Sequence, residues 1–346
     1  MAHLLAIRFA ALGDVAMTIP VVCSFAKAFP QHRITVLSNR AYAPLFQGLP
    51  DNVAFHGADL KGTHRGLRGL RRLCGELKAY GFDGVVDLNS VLRSFVLDAW
   101  FRLGGIPVRC VGKAKKAQRA LTRRTGKRLR PVPSTFERYA DTFRRAGYRF
   151  PLEFRSVRIR PDEQAGLTDL FGPKGTDQWI GIAPFAKEAG KIYPLEQMEQ
   201  VVAALAARPH TRVFLFGGGR HETEVFERWT RQHPSLTPVA GRLDMHREVV
   251  LMSLLDAMLT MDSANMHLAS LVGTPVVSVW GATHPLSGFM GWRQQTANAV
   301  QADLPCRPCS SHGTRPCYKG TLECMHAIHP RHILGRIETL LHKPTK

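Results

Sequence analysis

Acidic side chains are scarce in this sequence. Its 346 residues carry 27 Asp and Glu against 47 Lys and Arg, a formal net charge of +20. A field of that sign points to an anionic partner: nucleic acid, a phosphorylated glycolipid or an acidic membrane surface. Zinc-finger spacing and aromatic ribonucleoprotein motifs are both missing, so no nucleic acid is expected among the partners. No apolar run approaches the roughly 18–20 residues that a membrane span needs. The apolar start, Met1-Ala2-His3-Leu4-Leu5-Ala6-Ile7, has neither a basic leader nor a small-residue cleavage site, and reads as a first strand. G-x-G-x-x-G is lacking after the strand that ends before Ala10 and around Gly217-Gly218-Gly219, which argues against a dinucleotide-dependent dehydrogenase. There is also no Asp-x-Asp pair.

What is present is a globular composition, 45% apolar and 21% charged, over a length that suits two domains. The most organised stretch is 261–281. Asp262 and Ser263 are good N-caps for a helix over 264–271, which Gly273-Thr274-Pro275 separates from a bulky apolar strand, Val276 to Trp280. Such a strand–helix–strand unit turns free N–H groups and the positive end of a helix toward the carboxyl edge of a sheet, where phosphates bind.

The rest of the chain repeats the alternation. Strands are expected over 3–9, 33–38, 53–55, 84–87 and 108–111, with helices over 41–46, 67–80, 91–103 and 136–147. A helical segment also runs from Asp14 through Phe29, with Pro20 marking a kink or a second start. Residues 148–173, punctuated by Pro and Gly, read as linker and domain edge. A second series follows: strands at 179–184 and 212–216 and helices at 195–207 and 221–231, after which Val239-Ala240-Gly241 and a helix after Asp244 lead back to the stretch at 261–281. Alternating strands and helices imply parallel, doubly wound sheets, here two domains with a crevice between them.

Two basic groups stand out: nine Lys and Arg without an acid between Lys113 and Arg130, and the cluster Arg65, Arg68, Arg71 and Arg72. Each is either a solvated face or an anion-docking surface. Four of the seven cysteines, Cys306, Cys309, Cys317 and Cys324, fall together near the C-terminus. The C-x2-C pair suits a structural zinc site, the wider second spacing equally suits thiols or disulfides that brace a loop, and a role in acceptor binding is the third reading.

In their order and spacing, several pieces resemble the heptosyltransferase family of lipopolysaccharide core assembly, glycosyltransferase family 9. They are Leu12-Gly13-Asp14-Val15 with Thr18-Ile19-Pro20; Lys191-Ile192-Tyr193-Pro194; Gly217-Gly218-Gly219 with Glu222; Asp262-Ser263 with Met266-His267-Leu268-Ala269; and Gly273-Thr274-Pro275 with Trp280-Gly281. The resemblance covers nearly the whole chain. It implies an α/β GT-B fold of two Rossmann-like domains facing a central crevice. The acceptor domain would span 1–160, the nucleotide-sugar domain 175–330, and the segment 331–346 would cross back as a helix.

It also implies an inverting, metal-independent glycosyl transfer from ADP-heptose or a similar nucleotide sugar to a lipopolysaccharide core or other phosphorylated, lipid-linked glycan. The enzyme would be cytoplasmic, at the anionic inner face of the inner membrane. By match of motif, Asp14 is the general base and Lys191 neutralises the leaving diphosphate. Glu222, Asp262, Ser263, His267, Gly217 and Gly218 hold the donor. Arg65, Arg68, Arg71 and Arg72 are assigned to the acceptor. No cofactor is expected for catalysis, and any zinc at the four cysteines would be structural. The chemistry agrees: the acceptor oxygen must lose a proton as it attacks the anomeric carbon, and a diphosphate without metal needs a cation and oriented amides. The alternative is a non-catalytic nucleotide- or polyanion-binding protein on a transferase scaffold.

Overall fold

The computed structural model describes residues 1–342; positions 343–346 of the expected terminal segment lie outside the described residues. Short β-branched runs alternating with amphipathic stretches yield two separate, wholly parallel sheets. Two compact units contain them: Met1–Lys113 with Ser134–Arg158, and Ala114–Pro133 with Ile159–Lys346. Segment 114–133, expected in the acceptor domain, groups with the second unit. The terminal helix expected to cross back instead buries Ile333 and Ile337 in the core of the second unit.

The first unit runs β1 (His3–Ile7), α1 (Leu12–Ala16), α2 (Thr18–Ala28), β2 (Arg33–Asn39), β3 (Val53–Ala58), α3 (Gly66–Lys78), β4 (Gly84–Asp87), α4 (Leu92–Leu103) and β5 (Val108–Cys110). After α5 (Lys115–Leu121), which belongs to the other unit, α6 (Thr135–Arg145) completes it. The sheet order is β3-β2-β1-β4-β5. Strand β1 lies at the centre with Leu4, Leu5, Ala6 and Ile7 buried. The chain winds outward from β1 on one side and from β4 on the other, so the β1/β4 boundary is the switch point at which such sheets open a binding edge. The expected helix through Phe29 is two helices that part at Met17, and Pro20 sits in the first turn of the second, where no intrahelical N–H is needed.

The second unit continues with α7 (Pro161–Phe171), β6 (Gln178–Ala183), α8 (Leu195–Ala206), β7 (Thr211–Leu215), α9 (Arg220–Gln232), β8 (Leu236–Pro238), α10 (Met245–Ser253), β9 (Ala257–Met261), α11 (Ala264–Leu271), β10 (Val276–Trp280), β11 (Ala299–Gln301), α12 (Glu323–His326) and α13 (Pro330–Leu341). The order β11-β10-β9-β6-β7-β8 puts its switch point between β6 and β9. Val277, Val279, Leu259 and Ile182 are wholly buried between helices, and α13 adds Ile333 and Ile337 to the same core.

Two local readings are corrected. Residues 148–173 are not linker throughout, because α7 forms inside them: Pro161 occupies its first turn, and the Glu163 carboxylate accepts the Arg160 N–H at 2.7 Å. The expected series also lacks β8, which forms at Leu236–Pro238 and pairs with β7.

Candidate functional site

Each unit presents one ion pair just beyond the carboxyl ends of its central strands. In the first unit, Asp14 lies in the first turn of α1, directly after β1. Its Oδ2 accepts a hydrogen bond from the Ala11 N–H at 3.3 Å and is salt-bridged to the Arg8 guanidinium. Arg8 is itself held by the Leu88 carbonyl at 2.8 Å. Both described contacts of the carboxylate use Oδ2, which leaves Oδ1 as the oxygen placed to take a proton. The side chains are 14% exposed for Arg8 and 28% for Asp14, so the acid is the more accessible partner.

Tyr139 of α6 donates to the Asp14 carbonyl at 3.5 Å, and its complete burial pushes the phenol pKa well up. Burial opposes the charge of Arg8, yet the neighbouring Tyr139 and Asp14 raise its pKa overall. Beside them on β4, the buried Asp87 accepts from the N–H groups of Asn89 at 2.7 Å and Ser90 at 3.0 Å and from Ser94 Oγ at 2.8 Å. Asp98 lies against it, its carboxyl pushed up to about 7 by burial and by the Asp87 charge.

In the second unit the signs are exchanged. Asp262 follows β9 and Lys191 closes the turn after β6, so both stand at the switch point. Lys191 Nζ lies 2.8 Å from Asp262 Oδ2, with side-chain exposures of 16% and 4%. The lysine stem packs on the backbone of Gly313: a Cβ there would lie 2.8 Å from Lys191 Cγ, and φ of +77° independently favours glycine. Helix α11 begins at Ala264 as expected. Its N-cap is Ser263, whose hydroxyl makes no capping bond and instead meets Thr260 Oγ1 at 3.0 Å. His267 is buried on the same helix.

The glycine loop after β7 carries Glu222 in the first turn of α9, where its Oε2 accepts the Gly218 N–H at 2.6 Å. A Cβ on Gly217 would collide with that carboxylate oxygen, so glycine there is what lets Glu222 fold back on the loop. Arg65, Arg68, Arg71 and Arg72 are all exposed on and just before α3, with Arg72 paired to Glu76 at 3.2 Å.

Sequence reasoning missed Arg8, Tyr139 and Arg307. The buried Arg307 donates to the carbonyls of Gly281 at 2.6 Å, Trp280 at 2.9 Å and Thr283 at 3.0 Å, tying the cysteine-rich loop to the end of β10. Its position inside the C-x2-C pair was the available signal, because a cation flanked by cysteine and proline in a loop is poorly explained by solvation alone. The cysteines themselves are free thiols. Burial and then Cys306 and Cys317 raise the pKa of Cys309, so the sulfurs feel one another. Among the described residues, however, the group whose ligand atoms all lie within 4.8 Å is Asp87, Asp98 and Cys110, and no three of the four clustered sulfurs come that close.

The family model described as Glycosyltransferase family 9 (heptosyltransferase) matches residues 70–318. Lipopolysaccharide heptosyltransferase 3 of Escherichia coli strain K12 is 24% identical over 305 residues, 84% of each chain. The lipopolysaccharide core heptosyltransferase OpsX of Haemophilus influenzae is 24% identical over 81% of this chain and 79% of its own. Among solved structures, the E. coli ADP-heptose lipopolysaccharide heptosyltransferase II superposes with a TM-score of 0.72 at 19% identity, covering 98% of both chains.

Proposed function

The chain belongs to glycosyltransferase family 9, and from that premise we propose that it moves a heptose from ADP-heptose to a phosphorylated lipopolysaccharide core acceptor, with inversion and without a catalytic metal. Membership makes it a glycosyltransferase of GT-B fold; the donor, acceptor and stereochemistry are our reading. The observation that carries it is the complementary pair of edges, an anchored carboxylate at Asp14 and an anchored ammonium at Lys191. The relatives named above supply the sugar and the acceptor class.

In this reading Asp14 Oδ1 takes the proton of the acceptor hydroxyl as its oxygen attacks the anomeric carbon, and the bond from that carbon to the diphosphate breaks on the opposite face. Arg8 keeps the carboxylate turned toward the edge. The leaving diphosphate gains charge, which the Lys191 ammonium and the first N–H groups of α11 stabilise. An ammonium has three donors, so the bond to Asp262 leaves two for phosphate oxygens. Asp262 therefore works as the positioning residue for Lys191, Glu222 holds the glycine loop in shape for the nucleoside, and Ser263 and His267 support the donor. The exposed arginines on α3 receive the phosphorylated glycan and the anionic cytoplasmic face of the inner membrane. Zinc on Cys306, Cys309, Cys317 and Cys324 would be structural and would have to draw the thiols inward; metal analysis of protein purified without chelator tests it, and a zinc-free active enzyme removes it.

The deciding experiment incubates the full chain with ADP-heptose and a heptose-deficient core acceptor in excess chelator, and reads the anomeric configuration of the product by NMR. Inverted product supports the reading. Retention of configuration, or turnover that vanishes with the chelator while the protein stays folded, overturns it.

A further inference from the structure

The basic run at 113–130 folds against the cysteine-rich loop and encloses a cavity of about 330 Å³ lined by Thr122, Arg123, Arg124, Lys127, Cys309, Arg315, Cys317 and Tyr318. That volume falls at the low end of small-ligand sites, about 300–1,000 Å³. Four cations converge here without an acidic lining residue, and none of the four makes a salt bridge among the described residues. Two of the four cations are held in place. Lys127 Nζ donates to the carbonyls of Cys306 at 2.6 Å and Pro308 at 2.7 Å, and the Arg124 guanidinium lies 4.4 Å above the Tyr318 ring. Val132 N–H donates to the Leu286 carbonyl at 2.8 Å, which pins the far end of the segment to the same unit. Arg123, Arg124 and Arg315 are exposed and Lys127 is half-buried; cations gathered around one concavity without a counter-charge repel one another unless an anion joins them.

We propose that this cavity is a phosphoryl-binding site, separate from the edge that carries Lys191 and Asp262. Arg123 and Arg315 supply planar forks suited to two phosphate oxygens each, and Lys127 has one donor left for a further oxygen. Arg124 stacked on Tyr318 closes the wall. The proposal rests on this cavity alone and stands whichever sugar the enzyme transfers. The phosphoryl group comes either from free phosphate or from a phosphorylated glycolipid.

The test is calorimetric titration of the full chain at fixed ionic strength with saturating ADP present, which occupies a donor site before the probe is added. Inorganic phosphate and a short-chain bis-phosphorylated glucosamine disaccharide are the probes, with the unphosphorylated disaccharide beside them. Saturable one-to-one binding is expected, weakened about tenfold by Arg123→Gln and by Arg315→Gln, since each removes a charge-assisted contact. Arg231→Gln, an exposed cation on α9, is expected to leave it unchanged. Tighter binding of the phosphorylated disaccharide than of phosphate identifies a glycolipid source, and equal or weaker binding a free anion. Absence of saturable binding, or affinity within twofold of wild type in both cavity variants while their thermal unfolding is unaltered, overturns the proposal. So does a loss as large in Arg231→Gln, which would reveal only a diffuse surface charge.

Discussion

The two units solve one problem with opposite signs. In the first, a half-buried cation, Arg8, holds the more exposed acid, Asp14; in the second, a buried acid, Asp262, holds the more exposed cation, Lys191. Both pairs sit just past the carboxyl ends of parallel strands at a change in winding direction. The difference teaches which partner acts. The less exposed member holds the other in place, and in the proposed reaction the more exposed member meets the substrate: one sheet would offer the proton acceptor and the other the phosphate-facing charge.

The largest break in this comparison is expected from Asp14→Asn, which removes the proton acceptor and keeps the shape. Transfer should fall by about 10²–10⁴-fold with ADP affinity unchanged, as measured by single-turnover assay beside calorimetry. Next comes Lys191→Ala, for which a loss of about 10²–10³-fold in kcat is expected; steady-state kinetics check it. Asp262→Asn is the sharper probe of anchoring: it keeps Lys191 and loses its partner, so kcat should drop less than in Lys191→Ala, by about tenfold. Equal losses in the two variants would mean that Asp262 meets the donor itself. Gly217→Ala should push Glu222 off the loop and raise the donor KM several-fold with little change in kcat, the smallest of the kinetic effects.

A pH measurement probes the buried carboxyl beside Asp87. Asp98 has its carboxyl pushed up to about 7 in the folded chain, from an ordinary aspartate value of 3.8. The folded state therefore holds a proton that the unfolded chain gives up, and its contribution to stability is present below pH 4 and lost as pH rises through about 7. Asp98→Asn should flatten that part of the stability profile in denaturant titrations between pH 4 and 8. A profile as steep as the parent's would mean that other groups carry the slope.

Much of this was legible in the sequence. The strand–helix–strand at 261–281 formed as expected, because Val276 to Trp280 and the helix over 264–271 are local patterns that burial reinforces. Asp14 and Lys191 were legible from motif. Their partners were not: Lys191 meets Asp262 and Gly313 only through the fold, and no spacing rule reports a contact between segments that far apart. Helix α7 was hidden for a different reason. In the sequence Pro161 reads as punctuation, although Pro followed by two acids is also how a helix begins. The grouping of 114–133 with the second unit depends on Lys127 reaching two carbonyls near Cys306, a long-range bond that composition alone cannot reveal.

The packing of Gly313 on the stem of Lys191 has a consequence for timing. A free lysine side chain carries about 2 kcal/mol of rotamer entropy. Here that freedom is surrendered during folding, when the stem is clamped between a glycine backbone and a buried carboxylate. In the proposed reaction the ammonium is therefore oriented before the nucleotide arrives, and association need not freeze it a second time. A bulkier residue at Gly313 would leave every charge in place and still slow the reaction, by handing that ordering back to the encounter with substrate.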